Sequence, residues 1–97
     1  MHQSLCDTVV KSEERNSEGR HYKYELIMRE GKQTHDWRLS LFSIRISMTD
    51  TDGKYSQKEA KDLFINRERA LEFFDKLVKN LATPLNLGYV VEDEIRA

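Results

Sequence analysis

The strongest constraint on this chain is one amphipathic stretch that begins at Asn66. Ala70, Leu71, Phe74, Leu77, Val78 and Leu81 recur at spacings of three and four, which places them on one face of a helix. Glu72, Asp75, Lys76 and Lys79 fall opposite. Within that set, Glu72–Lys76 and Asp75–Lys79 have the i,i+4 orientation that contributes roughly 0.2–0.5 kcal/mol per pair. Asn66 is a preferred N-cap, because its side chain can accept from an otherwise unpaired helix N–H. The pattern predicts a helix over about 67–81. A helix with one apolar side needs a second layer to cover it, and the residues before it must supply that layer.

Those residues read as strands, over about 5–65. Thr8-Val9-Val10 marks a short first strand, and Arg15-Asn16-Ser17-Glu18-Gly19 is turn-like. In the next strand Tyr22, Tyr24, Leu26 and Met28 alternate with mostly polar neighbours, the period of a half-buried strand. Glu30-Gly31-Lys32 offers a hairpin turn. From Trp37 to Met48 the apolar residues change parity. Trp37, Leu39 and Leu41 share one, and Phe42, Ile44, Ile46 and Met48 share the other. That change implies either a β-bulge or a strand apolar on both faces. Asp52-Gly53 signals another hairpin, and the return strand ends at Leu63-Phe64-Ile65. Residues 56–62 stay open between strand and helical turn, since Ser56 to Glu59 also fits a capping box.

Thr83-Pro84 restarts the chain with a cap and a proline at the first helical position. A short helix over about 84–93 is the first reading. Gly88 and the paired valines Val90-Val91 leave a strand as the alternative. The expected architecture is α+β: an antiparallel sheet of about four strands, then one long and one short C-terminal helix. Ninety-seven residues fit one domain, 1–97.

Several segments together resemble a known family. They are Asp62-Leu63-Phe64-Ile65-Asn66, Leu77-Val78-Lys79-Asn80, Thr83-Pro84-Leu85-Asn86-Leu87 and Val90-Val91-Glu92-Asp93. The family is a group of small proteins of unknown function from clostridia-type, spore-forming Gram-positive bacteria. The resemblance is sharpest between Asp62 and Asp93. It implies the fold outline and transfers no catalytic residue.

Charge and motifs argue several functions down. Sixteen Lys and Arg against 17 Asp and Glu, interleaved along the chain, give no electrostatic reason to expect nucleic acid or an anionic membrane. A lone Cys6 excludes an internal disulfide and points to a reducing compartment. No apolar run approaches a membrane span, and the first residues lack a secretory signal pattern. Cytoplasmic residence is the expectation. Residues 48–59 match an EF-hand loop at several positions, but Met48 stands where the first ligand belongs. An acidic hairpin tip is the better reading. His2, His21 and His35 lack metal-ligand spacing. Tyr22 and Tyr24 could stack bases on an exposed sheet, but the glycine-aromatic signature of that fold is missing, and packing beneath the helix with their hydroxyls at the rim is the better reading.

No catalytic, cofactor-binding or metal-binding residue is expected, and the protein is read as a non-enzyme. The leading expectation is a protein-interaction or regulatory module whose surface is formed by Trp37, Leu39, Leu41 and Phe42. Apolar groups on an uncovered sheet face would need a partner, either another protein or a second copy in a symmetric homodimer. Weak nucleic-acid binding is the alternative, and a degenerate calcium loop at 48–59 ranks below it.

Overall fold

A computed structural model describes residues 7–30 and 40–96. Its elements are β1 (Asp7–Ser17), β2 (Arg20–Glu30), β3 (Ser40–Thr49), β4 (Tyr55–Phe64), α1 (Arg67–Lys79) and α2 (Leu87–Arg96). The strands form one antiparallel sheet in the order β1-β2-β3-β4. This is the α+β arrangement that the periodicities predict. No helix among the described residues is long and apolar enough to cross a membrane.

The first hairpin closes on two residues rather than five. Glu18 and Gly19 have φ values of 53° and 79°, the paired positive values of a type I′ turn, whose twist matches that of the flanking strands. Arg15, Asn16 and Ser17 are ladder residues opposite Tyr22, His21 and Arg20. A Cβ built on Gly19 would lie 2.7 Å from Thr51 Cγ2. Gly19→Ala is therefore expected to cost about 1–3 kcal/mol, part backbone strain and part overlap. Urea denaturation checks this. Adding Thr51→Ser, which removes the opposing methyl, should recover the overlap share and leave the backbone share.

Two bulges shape the sheet. In β1 the register shifts between Val9 and Lys11. The shift lets Val10 pack against the core and sends Lys11 to Asp75 on α1, 3.0 Å away. The second shift lies where Phe42 and Ile44 oppose Phe64 and Ala60. The sequence hint of a bulge near Leu41-Phe42 is met there, but the extra residues belong to β4. Asp62 takes a positive φ of 55° and its N–H donates to Ser43 Oγ at 2.9 Å. Residues 56–62 are strand: Ser56 pairs with Met48 and Glu59 with Arg45.

Asn66 caps α1 by accepting from Arg69 N at 3.0 Å. The helix stops at Lys79, two residues before the predicted end. Leu81 adopts a φ of 50°, while Ala82 N bonds Leu77 O and Leu81 N bonds Val78 O. That is a Schellman closure with leucine in the usual glycine position. α2 begins later than predicted. Thr83 Oγ1 accepts from Asn86 N, and Asn86 Oδ1 accepts from Thr83 N, a reciprocal cap of the capping-box kind. Regular helix starts at Leu87 and runs beyond the expected residue 93 to Arg96.

Both helices lie on the same side of the sheet. Tyr24, Leu26, Ile44, Ile46, Phe74, Leu77 and Leu87 are almost completely enclosed between the two layers. The ion pairs on α1 serve this layering. Asp75 binds Lys11 of β1, and Lys76 and Arg69 both reach Glu94 of α2.

Candidate functional site

Of the residues predicted to form an apolar surface, Leu41 and Phe42 lie on opposite faces of β3. Phe42 is 2% exposed and points into the core beneath the helices. Leu41, its neighbour in β3, is half-buried and has the opposite parity. Trp37 and Leu39 lie outside the described residues, as do His2, His35, Cys6 and the Gly31-Lys32 turn. The phase of β3 gives the physical reason for the correction. Along the strand, Leu41 is followed on its own face by Ser43, Arg45, Ser47 and Thr49. Over the described residues, the side of the sheet away from the helices is mostly polar, with Val9, Ile27 and Leu41 as its apolar members.

At its centre three strands contribute one charged row. Arg45 from β3 stands opposite Glu25 of β2 and Glu59 of β4. Arg45 Nε donates to Glu25 Oε1 at 2.9 Å, and a second guanidinium nitrogen lies 3.7 Å from Glu59 Oε1. The bond to Glu25 raises the Arg45 pKa further above its ordinary value. The Glu25 side chain is 13% exposed and that of Arg45 29%. Such half-buried charges keep their geometry better than fully solvated pairs.

Small residues on either side of Arg45 leave two depressions. One, of about 290 Å3, has Ile27 and the 4%-exposed Ser43 among its lining, with Arg29, Lys61 and Asp7 around them. The other, of about 400 Å3, includes Ser47 at 8% exposure, with Lys23, His21, Tyr55 and Gln57. Arg45 lines both and separates them. His21 is held at the margin, with Nε2 3.0 Å from Glu14 and Nδ1 2.9 Å from Asn16.

The remaining sequence candidates have structural uses. Tyr22 and Tyr24 stack on each other at 6.3 Å under the helices, and the Tyr24 hydroxyl donates to Ala82 O at 2.8 Å. They are not presented to solvent for base stacking. In the calcium-like loop, Asp50 accepts from Thr51 N at 2.7 Å and from Arg20 Nε at 3.0 Å. These two bonds lower the Asp50 pKa, the Thr51 bond most. Asp52 accepts from Lys54 N at 3.2 Å, and Gly53 closes the turn with a φ of 85°. The segments on both sides are strands, so the acids cap a hairpin.

The resolved shifts share a direction. Arg20 and Arg45 are raised, Asp50 is lowered and Tyr24 is raised. Each moves away from neutrality, whereas proton transfer near pH 7 needs groups moved toward it. The arrangement fixes charge. The sequence held one signal of the central row: Arg45 and Glu59 stand at equal distances from the hairpin pair Thr49 and Tyr55.

The family model of DUF6514, a family of unknown function, matches residues 3–97. The chain belongs to DUF6514. No curated protein and no solved structure matches this DUF6514 chain.

Proposed function

We propose that this DUF6514 protein is a non-catalytic interaction module that binds a protein partner through the polar face of its sheet. The observation that carries the reading is the one-sided cover. Both helices pack on one face, and the other presents a fixed Glu25–Arg45–Glu59 row between two depressions. Homodimer interfaces are usually more apolar than this, so a different, transiently bound protein fits the face better than an obligate second copy. The cytoplasmic, bacterial setting expected from the sequence belongs to the same proposal.

A photo-crosslinking residue placed at Gln57, exposed on this face, should trap discrete adducts in the native cell. The same group at Glu72, on the outer side of α1, should not. Arg45→Glu, which puts three carboxylates in one row, should abolish the Gln57 adducts while circular dichroism confirms the fold. Equal adducts from both positions, or none from Gln57, would defeat the reading. An adduct at twice the chain mass would redirect it to self-association.

A further inference from the structure

Resting on that interaction reading, we infer that the partner adds an extended segment of its own chain to the open edge of β4, backbone to backbone, with an acidic side chain opposite Lys58. β4 is an outer strand of the sheet. Tyr55 to Lys58 are exposed, and the ladder to β3 runs without a break from Tyr55 to Ala60. The hairpins fix which backbone groups are free. Residues of an antiparallel ladder alternate between pairs that exchange hydrogen bonds and pairs that do not. Asp50 N–H donates to Lys54 O at 2.7 Å at the β3–β4 turn. In the observed register the next bonded pairs are then Met48–Ser56, Ile46–Lys58 and Ile44–Ala60. Tyr55, Gln57 and Glu59 therefore turn their N–H and C=O groups away from β3. The Glu18-Gly19 turn, counted through β2, gives the same phase.

β1, the other outer strand, is a poorer template. A bulge interrupts it between Val9 and Lys11, and Lys11, Glu13, Glu14 and Arg15 put charge along it, with Lys11 tied to α1. Bulges and charges are the usual devices against edge pairing. β4 offers the uncharged run Tyr55-Ser56-Gln57, and its own bulge comes only after Ala60. Lys58 selects the occupant. It shares its side of the sheet with Ile46 opposite and with Ser56 and Ala60 along the strand. None of these is charged, and Lys58 forms no ion pair among the described residues. A second β4 would bring another lysine to this edge, whereas a segment with an acid at that place supplies the missing counter-charge. The side chains of Tyr55, Gln57 and Glu59 lie on the polar face, among the residues that line its depressions. An added strand would extend that face.

Amide hydrogen exchange followed by NMR tests both steps, with the peptide Thr-Thr-Asp-Thr-Thr-Ile-Thr in excess. Aligned antiparallel, its Asp faces Lys58 and its Ile faces Tyr55. In the free protein the Ser56 and Lys58 amides should exchange more slowly than those of Tyr55, Gln57 and Glu59. The peptide should slow the last three at least about fivefold and leave the first two unchanged. A twin carrying Lys in place of Asp should protect them less, and Lys58→Glu should reverse that order. Gln57→Pro removes an outward N–H that the ladder to β3 does not use. Circular dichroism should therefore report an intact fold, while the peptide's effect on Tyr55 and Glu59 is lost. Absence of the free-state alternation, equal protection by the twins, or peptide protection that survives Gln57→Pro would overturn the inference. So would protection of the same amides that grows with protein concentration alone, which would give the edge to a second copy. If Gln57 crosslinks persist while no edge amide is protected, strand addition fails and the interaction face stands.

Discussion

Phe74→Ala is expected to remove about 3–5 kcal/mol of stability, the range for emptying a buried aromatic site. Phe74 is 0% exposed, on the helix face that closes over Tyr24, Leu26 and Ile44. The Lys11 ammonium lies 5.7 Å from its ring centroid and is held there by Asp75. Truncation would therefore also weaken the contact that ties β1 to α1. Domains of this size have about 5–15 kcal/mol in total, so the variant should be marginally folded. Phe74→Leu, which keeps most of the volume, should lose less than about 1.5 kcal/mol. Glu72→Ala on the exposed side should stay within about 0.5 kcal/mol of the parent. Urea titration followed by circular dichroism separates the three. A loss below about 1 kcal/mol for Phe74→Ala would mean that α1 does not seal this side of the sheet, and the one-sided cover behind the proposed function would go with it.

The two long-range periodicities carried most of the architecture. Tyr22, Tyr24, Leu26 and Met28 alternate because one side of β2 is covered, and the α1 stripe repeats because the same cover is a helix. Features decided by tertiary contacts were less legible. β1 extends to Ser17 through Ser12, Glu13, Glu14 and Arg15, a run without alternation. An edge strand solvated over most of its surface has little apolar pattern to show. Leu81 ends α1 from a left-handed conformation that its side chain disfavours, so nothing local announced the stop. The Thr83-Pro84 signal correctly marked a cap, but the first regular turn waits for Leu87, which is buried. The i,i+4 pairs predicted for α1 compete with longer-range partners. Asp75 is drawn to Lys11 and Lys76 to Glu94.

Phe42 was assigned to the surface for a related reason. Joining Trp37, Leu39 and Leu41 to the run from Phe42 onward suggested a strand apolar on both sides. Side chains in a strand keep one parity, and the residues that follow Leu41 on its face are Ser43, Arg45 and Ser47. Phe42 begins the core set and is enclosed. The charged row was present in the sequence as Glu25, Arg45 and Glu59, far apart in the chain. Only the registers of two hairpins bring them side by side. A residue's neighbours across a sheet depend on the turn that sets the register, and residues 31–39, which connect β2 to β3, lie outside the described part.

The sheet and the α1–α2 connection meet at Tyr24, and alkaline pH should reveal how firmly. Burial, reinforced by neighbouring Tyr22, pushes the Tyr24 hydroxyl up to about 12 from an ordinary value of 10. Between those values an unfolded chain has lost the proton that the folded one keeps. The unfolded state then binds fewer protons, so stability must fall as pH rises from about 10 to about 12, and it is unaffected below about 9. A rise from 10 to about 12 corresponds to a loss of about 3 kcal/mol once both states are ionised. Tyr24→Phe should behave differently in two ways. At pH 8 it should be less stable by about 1–2 kcal/mol, because Ala82 O loses the donor 2.8 Å away. Between pH 10 and 12 its stability should decline less steeply than the parent's. Every other side chain is common to the two proteins, so the difference between the two urea-denaturation profiles isolates Tyr24. Parallel profiles across that interval would show that the hydroxyl is not enclosed against Ala82, and that the connection between α1 and α2 is not anchored to β2 in the way its hydrogen bond indicates.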